Sequence, residues 1–339
     1  MPTEDAEAGH TCLSMATIIP ACNAGTTLGP CLDALRAAGM DARSIIVVDD
    51  GSEDATAQIA RDAGVNVIPT EGPLGAAAAR NVGAAATEAD LLLFVDADVA
   101  VHPDAIDRMR AAFSPKEIVA VFGSYDDAPP DVSVVSRYRN LLHHHVHQTA
   151  MAEAQTFWTG LGAVRRQAFE DVGGFDPAFD FLEDVELGLR LHDKGGLLRL
   201  DSAIQGKHLK RWTFASMMRT DLWGRAIPWL QLMRSGRMSP TLLNGGWSHR
   251  VSAASVAAGL FAPLFGMACT PALLLLPVAL AAFVVANFGF LRCLARVGGI
   301  GFAIRALPFH AAHYLAGLTG VVIDRVHNPV AMRRARKRA

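Results

Sequence analysis

The run LLLFVDADVA (91–100) ends five consecutive apolar side chains on Asp96 and Asp98, two carboxylates one residue apart. At a strand end such side chains project to the same side. Two carboxylates held close repel unless a cation lies between them or one takes a proton. Hard oxygen donors suit Mg2+ or Mn2+, which bind through one or two carboxylates together with substrate phosphates. Such an ion neutralises charge on a leaving diphosphate. A capped turn after a buried strand reads equally from this string alone. His208, in GKHLKRWT (206–213), offers a third metal ligand beside Lys207, Lys210 and Arg211. Those three charges also suit a juxtamembrane patch facing anionic lipid.

Other strings add to the set. VVDDGSEDAT (47–56) again ends an apolar run in paired carboxylates. Asp50 can accept from a base N–H or a ribose hydroxyl, while Ser52 or Asp54 can cap the next helix. AAAARNVG (76–83) sets Arg80 and Asn81 among small residues, where Arg80 is either solvated or a ligand contact. GGFDPAFDFLEDVELGLRLHDKG (173–195) places Glu183, Asp184 and Glu186 at the start of an amphipathic helix. Acids there complement the helix dipole, or one of them takes a proton from an attacking hydroxyl. In HHHVH (143–147) only His143 and His147 share a helix face, and a structural or acceptor-side role is preferred over a second metal.

The elements that must position these residues alternate. MATIIP, SIIVVDD, VNVIPT and LLLFVDADV read as strands, with helices between them. Continuous Val/Ile/Leu runs separated by helices predict an α/β fold with a mostly parallel sheet covered on both faces. Ligands of such sheets bind outside the carboxyl ends of the strands. Those ends carry Pro20 to Asn23, Asp49 with Asp50, and Asp96 with Asp98.

Between Arg250 and Arg292 lie 41 residues without a charge, about twice the ~20 needed to span a bilayer. Two transmembrane helices are expected at about 251–269 and 271–291, turning at Pro271. A further apolar helix at about 300–323 is expected to be interfacial or re-entrant. A third span would export the basic tail MRRARKRA (332–339), against the positive-inside tendency. The expected domains are a disordered N-terminal tail (1–14), a catalytic α/β domain (15–235), a membrane region (236–325) and a basic cytoplasmic tail (326–339).

The net charge of −2 gives no electrostatic case for a nucleic-acid partner. The five cysteines are odd in number and lack zinc or redox spacing, so they read as reduced thiols facing a cytosol. The acidic N-terminus lacks the features of a signal peptide.

In this order IIPACNAG, IIVVDDGSEDAT, GAAAARNVGAA, LLLFVDADV, WTGLGAVRRQAFEDVGGFD, FLEDVELGLRL and HLKRW resemble an inverting family 2 glycosyltransferase of GT-A fold. The membrane-anchored bacterial members are the most similar, over about residues 15–235. The resemblance implies a nucleotide pocket at Pro20, Ala21 and Asn23, with Asp50 on the base and Arg80 on the base or diphosphate. It implies Asp96 on the ribose or a metal-bound water, and Asp98 on Mg2+ or Mn2+. Asp184 is then the base, with Glu183 beside it, while Trp158, Thr159, Gly160, Arg211 and Trp212 lie on the acceptor or sugar side. HLKRW matches only the last two residues of the Q-x-x-R-W pattern of processive members, which favours transfer of one or a few sugars. A UDP-sugar donor, a hydroxyl or phosphate of a lipid-linked acceptor, and a place on the bacterial inner membrane, facing the cytoplasm, are the implied partners and location.

Three other classes compete. FVDADVAV also fits the D-x-D-x-[TV] pattern of haloacid-dehalogenase-like phosphatases, but that family carries it on its first strand and here two βα units come first. A nucleotidyltransferase on a related fold needs basic residues after the first strand, and PACNAGTTLG has none. A membrane scaffold with a degenerate site would lack catalytic carboxylates, all of which are present.

Overall fold

The computed structural model describes residues 13–236, 238 and 246–327. Residues 1–12 of the expected lead-in and the basic tail at 332–339 lie outside the described residues. Ser14, placed in that lead-in, is fastened: its N–H and hydroxyl both donate to the Asp90 carboxylate.

In chain order β1 (Met15–Ala21), α1 (Leu28–Ala37), β2 (Ile45–Asp49), α2 (Thr56–Asp62), β3 (Asn66–Pro69), α3 (Ala76–Ala85) and β4 (Leu91–Val95) follow the expected alternation. β3, β2, β1 and β4 lie side by side and parallel. β2 and β4 are buried at every position, which is why they are apolar runs and not alternating ones. Leu32 and Leu35 of α1 pack on one face of this sheet with Ile19, Val47 and Leu93. α3 lies on the other face and must be thin. A Cβ on Gly83 would stand 2.4 Å from the Ile18 Cγ2, so the Ala/Gly content of that helix is a packing requirement.

The next elements are β5 (Val99–Val101), α4 (Ala105–Ala112), β6 (Ile118–Tyr125), α5 (Val134–Thr149), β7 (Glu153–Ala154), β8 (Leu161–Arg165), α6 (Arg166–Asp171), α7 (Glu183–Asp193) and β9 (Leu197–His208). The sheet continues β4–β8–β6–β9–β5, with β7 on β9. Its second half is mixed: β8 is antiparallel to β4 and β6, and β5 antiparallel to β9. The β5–β9 ladder sets Val99 opposite His208, which delivers a residue distant in sequence to the end of β4.

The chain then forms α8 (Phe214–Arg219), a π-helical turn (Thr220–Ala226), α9 (Ile227–Arg234), α10 (Trp247–Ala268), a short 3-10 turn (Thr270–Leu274), α11 (Leu275–Ala286), α12 (Phe288–Gly298) and α13 (Ile300–His327). Two helices, Trp247–Ala268 and Ile300–Val326, are long and apolar enough to cross a membrane. The first covers 251–268 of the expected span 251–269. The expected span 271–291 is not one rod, because the helix breaks at Asn287 and bends by 73° into α12. Asn287 donates to Ser252 Oγ (2.8 Å) and faces His310 Nε2 (2.8 Å), so its amide ties neighbouring helices together at the break. The stretch expected at the interface over 300–323 lies within the single long helix α13.

The expected boundary at 235/236 does not separate two cores. Tyr138 and Leu141 of α5 share a buried cluster with Trp212, Met217, Phe290 of α12 and Phe302 of α13. Trp212, expected on the acceptor side, is buried in this cluster, and its indole packs under the Lys210 ammonium at 4.6 Å.

Candidate active site

A single cleft of about 1990 Å³ runs from the carboxyl ends of β1, β2 and β4 towards α13. Pro20, Ala21, Asn23, Asp50, Arg80, Asp96, Asp98, Trp158, Thr159, Glu183, Asp184 and Arg211 all line it. Gly160, His208 and Trp212 do not. Gly160 serves indirectly: a Cβ there would collide with the Trp158 ring at 2.2 Å, so glycine lets the indole fold over the site.

The first two strand ends are laced to each other. Asn23, at φ +52°, donates its N–H to Ser52 Oγ and accepts from Glu53 N, both at 2.9 Å. Asp54 accepts from Thr56 N in the first turn of α2 and from Gly25 N, a capping role. Asp50, expected on the base, also holds its own surroundings. Its carboxylate accepts from Thr70 Oγ1 (2.9 Å), Leu74 N (2.8 Å) and Gly75 N (2.9 Å), so both oxygens organise the loop before α3.

Arg80, expected on the base or diphosphate, is engaged with two acids. Its guanidinium donates to Asp96 Oδ1 at 2.8 Å and to Glu183 Oε1 at 2.5 Å. It therefore clasps the end of β4 to the start of α7. Arg80→Met leaves two carboxylates facing each other without their cation, and removing one member of such a buried set costs roughly 3 kcal/mol. Urea unfolding of the variant measures that loss; an unchanged midpoint would deny the clasp its structural weight.

With Glu183 held, no ion pair reaches Asp184 among the described residues. It accepts from Val185 N (2.8 Å) and, at 3.4 Å, from Thr159 N. Burial, reinforced by the neighbouring charge of Glu183, pushes its carboxyl up to about 7. Leu182, just before the pair, sits at φ +62°, a conformation that costs an L-residue about 1–2 kcal/mol. Glu186 is structural, pairing with Arg190 one helical turn on at 2.6 Å.

Asp98 faces His208 across 3.4 Å. Burial pushes the Asp98 carboxyl up, but the His208 hydrogen bond and the charges of His208 and Lys210 outweigh it and leave it below the usual range. His208 Nδ1 meets the amide oxygen of Asn140 at 2.5 Å, and its ring stacks on Tyr125 at 4.2 Å. Nδ1 is engaged with that oxygen, so Nε2 is the ring nitrogen that faces Asp98. Among the described residues, no three His, Cys, Asp or Glu side chains converge as a metal cage. The expected triad of Asp96, Asp98 and His208 does not converge on one point here: Asp98 faces His208, and Asp96 gives one oxygen to Arg80.

His143 and His147 lie 4.5 Å apart between centroids, tilted by 53°, and flank Trp158 at 5.1 and 4.9 Å. Burial pushes His143 well below its usual value and His147 down to about 4. They form a neutral aromatic wall at pH 7. Arg211 points outward and meets Asp131 at 3.1 Å, an exposed pair of small energetic weight.

Residues 16–173 match the family model described as glycosyl transferase family 2. This stretch is a family 2 glycosyltransferase domain. The chain is 27% identical over 214 residues to a pre-mycofactocin glycosyltransferase of Mycobacterium tuberculosis, covering 60% of this chain and 45% of that protein. It is 25% identical over 235 residues to an O-antigen chain rhamnosyltransferase of Salmonella typhimurium, covering 65% and 75%. It thus spans less than half of the mycobacterial relative. A mannosyltransferase from Pyrobaculum calidifontis, solved with GDP-Man and Mn2+, shares the fold with a TM-score of 0.59 at 18% identity, covering 92% of this chain and 88% of that one. The glycosyltransferase fold is GT-A. Asp184 and His208 lie beyond the family match, and the sheet brings them back to it.

Several residues gave no signal in the sequence. Asn140 is hidden inside a helix whose histidines attract attention. Asp221 and Arg225 stand four apart in DLWGRAIPW, charges in an apolar stretch that were legible only as a spacing.

Proposed function

We propose that the chain is an inverting, metal-dependent glycosyltransferase that moves a sugar from a nucleoside-diphosphate donor to a hydroxyl of a membrane-held acceptor. One observation carries this reading: Asp184, a carboxyl that titrates near neutrality, lines the same cleft as the strand ends that face a nucleotide in this fold.

The residues present fit a divalent ion. Two ligand atoms about 2.1 Å from one ion and about 90° apart stand roughly 3 Å from each other, close to the Asp98–His208 separation of 3.4 Å. An acceptor that fixes the imidazole through its other nitrogen, as Asn140 does, is the usual companion of a metal-binding histidine. Asp98 and His208 would hold Mg2+ or Mn2+, with the imidazole nitrogen favouring Mn2+. When bound, the ion neutralises charge on the departing diphosphate.

The chain's own residues do the rest. The Asn23–Ser52 lacing and the Asp50-held loop shape the wall for the base and ribose, with a UDP-sugar as the first donor to test. Arg80 fixes Asp96 and Glu183 so that neither competes for the acceptor proton. Asp184 accepts that proton as the hydroxyl oxygen attacks the anomeric carbon from the side opposite the diphosphate. Direct displacement inverts that carbon.

The rate is expected to rise about tenfold per pH unit below pH 7 and to level off above it. The base works deprotonated, and its carboxyl has been pushed up to about 7. A flat profile between pH 5 and 8 under saturating donor would remove Asp184 as base. Incubation of the full chain with UDP- and GDP-sugars, Mn2+ and membrane lipid tests the reading itself. Release of nucleoside diphosphate with a β-linked product from an α-linked donor is expected; silence with every donor, or retention, contradicts it.

The two long apolar helices support membrane association. We place the catalytic domain on the cytoplasmic face of a bacterial inner membrane, because the basic residues follow the positive-inside tendency there. A dehalogenase-like phosphatase is disfavoured, since the D-x-D string follows β4 and not the first strand.

A further inference from the structure

Arg225 is a cation that the proposed transfer leaves unused. It stands in the π-helical turn and lines the cleft, and among the described residues no hydrogen bond or ion pair reaches its guanidinium. π-Helical turns recur at functional sites. The nearby acid is committed elsewhere: Asp221 lies 2.7 Å from Arg139 and 2.9 Å from His313. Burial, then the charge of Arg139, pulls the Arg225 pKa down to about 10. A half-buried guanidinium that lines a cleft with no hydrogen-bonded counter-ion is a ready site for an oxyanion in bidentate geometry.

Its position says what kind of anion. Asp184 lies within its electrostatic reach. The lining of the same cleft also includes Trp229, Leu230 and Met233 of α9 and Leu318 and Val321 of α13. α13 is one of the two helices long and apolar enough to cross a membrane. The base, a cation unpaired among the described residues and apolar side chains of a helix able to cross a membrane thus share one cleft.

We propose that Arg225 binds the oxyanion of a phosphate-bearing lipid headgroup. The acceptor is then an anionic amphiphile whose free hydroxyl reaches Asp184 while its chain lies between α9 and α13. This rests on the glycosyltransferase reading above.

The test uses the full chain in neutral detergent and three probes: lysophosphatidylglycerol, a monoacylglycerol of the same chain length, and inorganic phosphate. Binding is followed by tryptophan fluorescence. Lysophosphatidylglycerol is expected to bind about tenfold tighter than either of the others. Arg225→Met removes that preference and Arg225→Lys reduces it severalfold. UDP or GDP binding with Mn2+ is measured on every preparation and is expected to stay within about twofold. Should Arg225→Met lose nucleotide binding through misfolding, Arg225→Lys decides alone, and an unchanged preference there overturns the assignment. Equal binding of the two lipids by the wild type overturns it too, as does inorganic phosphate binding as tightly as the lipid, or a full preference in Arg225→Met. Failure of the wild type to bind any nucleotide counts against the glycosyltransferase reading instead.

Discussion

Asp184→Asn lowers sugar transfer roughly 1000-fold while donor affinity changes by less than about twofold. The asparagine keeps the size of the side chain and one acceptor for Val185 N or Thr159 N, so the cleft keeps its shape. What disappears is the ability to take a proton at neutral pH. The kcat of the variant carries the whole loss, and its KM for the donor does not. Glu183→Gln behaves differently, because Glu183 is half of the Arg80 clasp: it lowers stability as well as turnover. Near-wild-type transfer by Asp184→Asn removes this residue as base.

Asp98→Ala abolishes the metal-dependent part of turnover, a loss of about 100- to 1000-fold. His208 alone is a poor site for a hard divalent ion, since the fit rests on a carboxylate and an imidazole acting together. Asn140→Leu provides the graded companion. It removes the acceptor that holds His208 Nδ1, and loss of such an outer partner weakens metal affinity about 10- to 100-fold. Raising the Mn2+ concentration restores Asn140→Leu but not Asp98→Ala. If both variants turn over at wild-type rates in a chelator, the metal assignment is wrong.

Periodicity made the first half of the sheet legible. Strands buried on both faces must be apolar throughout, and β2 and β4 are. The ordered carboxylates at the strand ends likewise located the cleft. The pairings inside it were not legible, because they join residues far apart in the chain. Arg80 reaches Glu183 across 103 positions, and no local pattern distinguishes an arginine that binds a ligand from one that binds two acids. The same holds for Asp50, whose partners sit 20 to 25 residues on. Trp212 looked like an acceptor residue because it sits in a basic string, yet its burial depends on α12 and α13, which follow it by many residues. The C-terminal helices were read from charge alone. That finds apolar length but misses Asn287, a neutral side chain whose hydrogen bonds mark the bend.

Calorimetric titration of the full chain with UDP and GDP, each with and without Mn2+, bears most directly on the central claim. A nucleoside diphosphate and a divalent ion are expected to bind together at the end of β4, with Mn2+ tightening one nucleotide at least about tenfold in the wild type and not in Asp98→Ala. Binding of neither nucleotide under any metal condition, or an Mn2+ effect undiminished in Asp98→Ala, would contradict the account.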